Sequence, residues 1–410
     1  MKELLNRLQQ EYPSHIVDIL IRAINSEEVF KGFIKNSFVK DEDLSSIPGI
    51  EKENNIYRYS PSYKIGKSIL HEIGGIYAMD PSAIKAVELF SSTKKEYILD
   101  LCAAPGGKTI AQAIINPNSF IVSNDRSKSR AHELAKNIER MKLANVGVTN
   151  VEPSFFLKNF QGFFDRVILD APCSGSGMVR KSSSVAADFS LEKVNRLIPT
   201  QKELLNIASK LVKTGGEIDY LTCSFLKEED EEQIENFLIS NAEFSKIESQ
   251  TDASIYSTDN SSLHFFPILF KGEGMFLSRL KKNGGIIANN EESFLYRIKI
   301  KNQEHIVTTK NSVLLSLPYL HLGCHVYELQ DFAKCEFYNE YAYFASEVPS
   351  YEVNKEEAVK FIRGEEISCP NNLTGLVKLT YLNIPFSFGK FNRGKIKNYY
   401  PKGLRKNLDD

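Results

Sequence analysis

The stretch YILDLCAAPGGKTIAQAI, residues 97–114, decides the fold. An apolar run ends in Asp100, a turn of small residues follows, and from Lys108 apolar residues recur at helical spacing. Gly106 and Gly107 let the backbone approach a ligand closely, and the helix start behind them offers free N–H groups to a carboxylate. Strand, turn and helix in this order form the first unit of a doubly wound α/β sheet, which binds ligands at the carboxyl ends of its strands. The loop is neither G-x-G-x-x-G nor a Walker loop, which disfavours a nucleoside triphosphate.

Outward from this unit the same alternation continues. Strand-like runs are FIVSN (120–124), VGVTNV (146–151), RVILD (166–170) and EIDYLTC (217–223). Between them lie the helix-like SRAHELAKNIERMKLA (129–144) and LEKVNRLIPTQKELLNIASKLVK (191–213). The pattern predicts an α/β protein with a Rossmann-like, parallel, doubly wound core. Asp125 lies about twenty residues past the glycines, the spacing that places a carboxylate on a ribose hydroxyl pair. Glu152, at the end of the third strand, falls where an adenine would lie. A tight turn with two helix-capping acids is the plainer alternative for these residues.

With 410 residues the chain exceeds one typical domain. A helical region is expected over residues 1–40, within an N-terminal unit of 1–88. The α/β core is expected over 89–282, KKNGGIIANNEES (281–293) as a linker, and a small α+β domain over 294–410. A net charge of -1 means that any nucleic-acid surface must be local. The candidate is the basic-aromatic stretch FGKFNRGKIKNYYPKGLRK (388–406), where Lys390, Arg393, Lys395, Lys397, Lys402, Arg405 and Lys406 suit phosphate contacts. Six scattered cysteines without a C-x-x-C pair argue against a disulfide framework or zinc ribbon, and no metal is expected. His321, Cys324 and His325 in HLGCH are read as ordinary packing or surface. The run KEEDEEQIE (227–235) is read as acids favoured in a helix's first turn. No signal peptide or membrane span is legible, and a cytoplasmic monomer is expected.

Chemistry concentrates in RVILDAPCSGSGM (166–178). An acid at the tip of an apolar strand is costly unless paired, and Cys173 follows three residues later. Cys223 stands at the end of the next core strand, so two thiols and Asp170 converge on one crevice. Each cysteine alone would pass as a small buried hydrophobe; together they fit one reaction. Carbon 5 of a pyrimidine is too weak a nucleophile to take a methyl group directly. A thiolate adding at carbon 6 makes carbon 5 enamine-like and able to attack a methyl sulfonium. Asp170 would hold the ring-nitrogen edge, and elimination would employ the second thiol. Chemistry alone leaves open which cysteine attacks.

DLCAAPGGKT, SNDRSKSR, DAPCSGSGMVRK and YLTCSF resemble the successive motifs of the Nop/Sun family of RNA (cytosine-5)-methyltransferases. The C-terminal segment resembles the PUA-like domain of bacterial RsmF-type members. The resemblance implies that Cys223 is the nucleophile and that Cys173 assists release, with Lys108 contributing positive charge. It also implies S-adenosylmethionine held by Cys102, Ala103, Ala104, Pro105, Gly106, Gly107, Lys108, Asp125, Glu152 and Asp170. The substrate it implies is RNA, foremost small-subunit ribosomal RNA. A target cytosine would have to be flipped to reach the thiolate, and Arg180 and Lys181, just past the cysteine loop, are placed to grip the backbone beside it. Transfer RNA is the alternative substrate, and a non-catalytic ribosome-assembly factor the alternative class. Several positions depart from the family pattern. Glu152 replaces an aspartate, Ser176 and Val179 replace glutamate and phenylalanine, and Leu221 replaces a serine. Asp219 stands inside a buried strand, and Lys35-Asn36-Ser37 is a poor match to the N-terminal element.

Overall fold

The computed structural model describes residues 2–26, 28–178, 189–284, 295–300, 303–328, 339–369 and 373–408. Helices α1 (Lys2–Glu11) and α2 (Ser14–Asn25) open the chain. Leu4, Leu8, Ile16, Val17 and Leu20 form an apolar stripe that packs against Phe225, Leu226 and Phe266. The helical expectation for residues 1–40 fails beyond Asn25, because Lys31–Lys35 is strand β1. Gly32 is seated there against Pro81, where a Cβ would come within 2.9 Å of the proline ring. β1 is joined by β2 (Glu51–Glu53), β3 (Ile56–Tyr59) and, after the short helix α3 (Ile69–Glu72), by β4 (Ile76–Met79) in the order β2-β3-β1-β4. Asn36 ties this sheet onward, its amide donating to the Met141 carbonyl at 2.8 Å.

Asp80 caps α4 (Pro81–Phe90), with proline in the first turn, and the core follows. Its elements are β5 (Tyr97–Asp100), α5 (Gly107–Ile115), β6 (Phe120–Asn124), α6 (Lys128–Met141), β7 (Val146–Thr149) and β8 (Phe164–Asp170). Then come α7 (Leu191–Leu211), β9 (Val212–Thr222), α8 (Glu231–Ser240), β10 (Phe244–Lys246), β11 (Ser262–Phe265) and β12 (Met275–Lys282). The sheet runs β10-β12-β9-β8-β5-β6-β7, parallel from β9 to β7, with β12 antiparallel against β9. Helices cover both faces, so the parallel strands are apolar throughout rather than alternating. Strand order reverses between β5 and β8, which is where such a fold opens its crevice.

Asp219, unusual in sequence, is explained by its neighbour in the sheet. Arg166 on β8 reaches Asp219 at 2.7 Å, Glu217 at 3.0 Å and Glu96 at 3.3 Å, and Arg279 on β12 pairs with Glu217 at 2.9 Å. The charge is buried but shared.

Beyond the expected linker come β13 (Tyr296–Ile300), β14 (Gln303–Val307), β15 (Tyr319–Leu322) and β16 (Cys324–Glu328). β15 pairs antiparallel with β7 and so extends the core sheet. His321 and Cys324 are buried on these strands, and burial pushes the His321 imidazole down to about 4. The remainder is a five-stranded sheet of β17 (Ser350–Glu352), β18 (Ile367–Ser368), β19 (Gly375–Tyr381), β20 (Ile384–Asn392) and β21 (Lys395–Asn398) with helix α9 (Lys355–Arg363). Asn354 and Glu357 form a capping box at one end of α9 and Gly364 closes the other. This sheet shares an apolar core with the N-terminal one: Phe33, Tyr57 and Ile76 lie in one cluster with Phe361, Leu379 and Phe386.

Candidate active site

At the tip of β5, Asp100 is fully buried and accepts from the Thr109 hydroxyl at 2.6 Å, which locks the start of α5 to the strand. Burial pushes the Asp100 carboxyl up to about 7, with the nearby Asp170 adding to the shift and the Thr109 hydrogen bond opposing it. Gly106 adopts a positive φ of 112°, and a Cβ there would lie 2.7 Å from Leu134. Asp125, at the end of β6, accepts from the Ser127 N–H at 2.9 Å. Arg130 lies 3.4 Å from Asp125 and donates to the Ala104 carbonyl at 2.5 Å, joining the two loops. Sequence reasoning quoted Arg130 without giving it a role. Glu152 is exposed at the end of β7, and Cys102 is half-buried, with burial raising its thiol.

Lys108, in the first turn of α5, donates to Asp170 at 2.7 Å across the β5/β8 crevice. Burial opposes the ammonium, but the Asp170 carboxylate more than offsets it and the lysine's pKa is raised. Beyond Asp170 the chain turns to bring the Cys173 sulfur within 2.9 Å of the Cys223 sulfur. The Cys223 N–H also faces the Cys173 sulfur at 3.2 Å, and Gly177 donates its N–H to the Cys223 carbonyl at 2.9 Å. Hydrogen bonding from Cys173 lowers the Cys223 pKa, and the Lys108 charge helps against burial. Cys173 shifts the other way, well up, because of that same contact and its burial. The shared contact pulls the two thiols in opposite directions, down for Cys223 and up for Cys173.

Ser176, a departure from the family pattern, is buried. Its hydroxyl meets that of Ser224 at 3.0 Å and accepts from the Phe225 N–H at 2.8 Å. The acidic run after Cys223 is not all helix-turn acid. Glu229 and Asp230 precede α8 and are fully buried, and Glu229 bonds to both cysteine loops. Asp230, Glu231 and His264 also gather, with Glu231 and the His264 imidazole hydrogen-bonded at 2.8 Å and Thr222 donating to Asp230.

Of the expected RNA contacts, Arg180 and Lys181 lie outside the described residues. Arg393, Lys395, Lys397, Lys402 and Arg405 are exposed, with Lys395 and Lys397 side by side on one face of β21. Two members of that stretch serve packing instead. Tyr400 is buried and donates to Glu72 at 3.0 Å, and Lys406 pairs with Glu72 at 2.9 Å, fastening the C-terminal sheet to α3.

A glycine cradle at a helix start, an acid at the tip of each of β5 and β8 and another just past β6, and thiols beside them fit a nucleoside carrying a methyl sulfonium. The fold is that of Rossmann-like S-adenosylmethionine-dependent methyltransferases. Residues 87–281 match the family described as 16S rRNA methyltransferase RsmB/F, and residues 348–406 match the methyltransferase RsmF PUA domain. Residues 87–281 thus carry the core of the RsmB/F methyltransferase family. It is 30% identical over 305 residues to the ribosomal RNA small subunit methyltransferase F of Shewanella piezotolerans, covering 69% of this chain and 64% of that one. It is 29% identical to the Aliivibrio salmonicida protein of the same name, covering 77% and 72%. The chain thus spans under two thirds of the length of the Shewanella relative. Among solved structures it resembles PH0851 (TM-score 0.63, 25% identity, 68% of this chain and 65% of that one). It also shares the fold of NSun6 from Pyrococcus horikoshii, solved with SFG (TM-score 0.59, 16% identity, 70% and 99%). Among the described residues no helix is long and apolar enough to cross a membrane.

Proposed function

We propose that this protein methylates carbon 5 of a cytosine in small-subunit ribosomal RNA through a covalent adduct between Cys223 and carbon 6. The observation that carries the reading is the direct contact of the Cys173 and Cys223 sulfurs at adjoining strand ends, beside the Lys108–Asp170 pair. Cys223, with its depressed pKa, is the thiol equipped to attack a flipped base. Asp170 holds the ring-nitrogen edge of the cytosine, and Lys108 favours the thiolate. When bound, S-adenosylmethionine supplies an electrophilic methyl group; Gly106, Gly107, Asp125 and Glu152 are the residues that would hold it. Attack at carbon 6 makes carbon 5 nucleophilic, and after methyl transfer the carbon-5 proton leaves as the bond to Cys223 breaks. Cys173 assists that release.

The chain acts as a monomer, with its N-terminal unit (1–88) and C-terminal domain (294–410), whose sheets share one apolar core, gripping RNA beside the catalytic domain (89–282). Arg393, Lys395, Lys397, Lys402 and Arg405 supply the phosphate contacts. Bisulfite mapping of RNA from cells with and without the protein tests the substrate. One or more 5-methylcytosines vanish from small-subunit ribosomal RNA if the reading is right. Loss confined to transfer RNA, or no loss, overturns it.

A further inference from the structure

Glu229 lies in the acidic run after Cys223, wholly buried, two residues ahead of the first residue of α8. Its hydrogen bonds do not go to that helix. One carboxylate oxygen accepts from the Ser174 N–H at 2.8 Å and from the Gln201 amide at 3.0 Å. The other accepts from the Ser174 hydroxyl at 2.5 Å and the Ser224 hydroxyl at 2.7 Å. Ser174 directly follows Cys173 and Ser224 directly follows Cys223, so one side chain holds the residue after each thiol. Gln201, from α7, also donates to the Pro172 carbonyl at 3.0 Å and braces the first loop from behind.

A carboxylate has about four acceptor positions, and here four donors use them. All four are uncharged, so hydrogen bonds rather than an ion pair hold this acid in the interior. A hydroxyl or an amide in its place would bring donors of its own to a point where four donors already converge. Aspartate would fall one methylene short. The backbone continues the arrangement: the Glu229 carbonyl accepts from the Tyr220 hydroxyl at 2.7 Å, anchoring the acid to β9 just ahead of Cys223.

We propose that Glu229 is the positioning residue that sets the separation of the two active-site thiols, by tying the Cys173 loop and the Cys223 loop to a single carboxylate. Its effect on turnover rests on the function proposed above; its effect on the thiols does not. The test therefore begins without RNA. Wild-type protein and Glu229→Ala are equilibrated in glutathione buffers, in which one oxidised glutathione and two protein thiols give one protein disulfide and two reduced glutathiones. Peptide mapping quantifies the Cys173–Cys223 disulfide. Losing charge-assisted bonds to both loops is expected to lower the effective molarity of the pair about tenfold or more, while the KM for S-adenosylmethionine stays unchanged and kcat falls. Glu229→Gln, which keeps one carbonyl acceptor, should fall in between. A folded Glu229→Ala protein whose thiol pairing stays within about twofold of wild type overturns the proposal. If that variant does not fold, Ser174→Ala combined with Ser224→Ala takes its place, with the same loss expected and the same unchanged pairing decisive against it. A wild-type protein that methylates no RNA sinks the proposed function but leaves the thiol measurement to judge Glu229 alone.

Discussion

Gly177 offers a sharp test of how tightly the Cys173 and Cys223 loops are coupled. Its N–H donates to the Cys223 carbonyl at 2.9 Å, and a Cβ at this position would lie 2.8 Å from that same oxygen and 3.2 Å from the Phe225 ring. A backbone oxygen cannot rotate away as a side chain can, so Gly177→Ala must push the two loops apart by a few tenths of an ångström. Overpacking of this kind costs about 1–3 kcal/mol. A misplacement of about 1 Å costs roughly a hundredfold in rate, so a shift about half as large should cost roughly tenfold. The assay is single-turnover methyl transfer at saturating S-adenosylmethionine, with a thermal melt of the same samples. The rate should drop roughly tenfold and the KM for the cofactor should hold, because the Gly106–Lys108 loop is untouched. A variant that melts like wild type and reacts within about twofold of it would show that the Cys223 backbone does not depend on this turn.

Three further outcomes follow from the charged groups. Lys108→Gln removes the cation that favours the Cys223 thiolate, so the acid limb of the kcat/KM profile should move up by about one pH unit, worth about 1.4 kcal/mol; an unmoved limb disconnects Lys108 from the nucleophile. Arg166→Met removes the partner that Asp219, Glu217 and Glu96 share, leaving Arg279 beside Glu217 and Asp219 only, and denaturant unfolding should record a loss of about 3–5 kcal/mol; a loss below about 1 kcal/mol would mean the network is dispensable. Asp100 has a folded-state pKa raised to about 7 by burial, so the native state holds a proton that the unfolded chain releases near pH ~4. Native protein binds more protons across that window, so its contribution to stability declines as pH rises from about 4 to about 7. Asp100→Asn should flatten that part of the melting-temperature profile, and an unchanged slope would place the titration elsewhere.

The sheet and its crevice were legible because their signals are local. Apolar runs ending in Asp100, Asp170 and Cys223 mark strand tips by composition alone, and the glycines before Lys108 mark the turn. What escaped depends on which strands become neighbours. Asp219 makes sense only when β8 sets Arg166 beside it. Glu229 is one acid among several in KEEDEEQIE, and no periodicity separates the one that turns inward from those facing solvent. β15 joins β7 across the whole core and the expected linker, a pairing that no local pattern encodes. Tyr400 and Lys406 read as part of a basic-aromatic surface until Glu72, more than three hundred residues earlier, is placed against them. β1 was lost inside a helical reading because Phe33 and Ile34 continue an apolar pattern that α2 had started.

The central claim is that Cys223 bonds to the base and that Cys173 frees it. Cys173→Ala, incubated with substrate RNA and S-adenosylmethionine and run on a denaturing gel, tests it most directly. The account predicts a protein–RNA band that survives denaturation, maps by peptide analysis to Cys223, and disappears when Cys223→Ala is added. A band that persists without Cys223, or Cys173→Ala protein that turns over freely with no band, contradicts it.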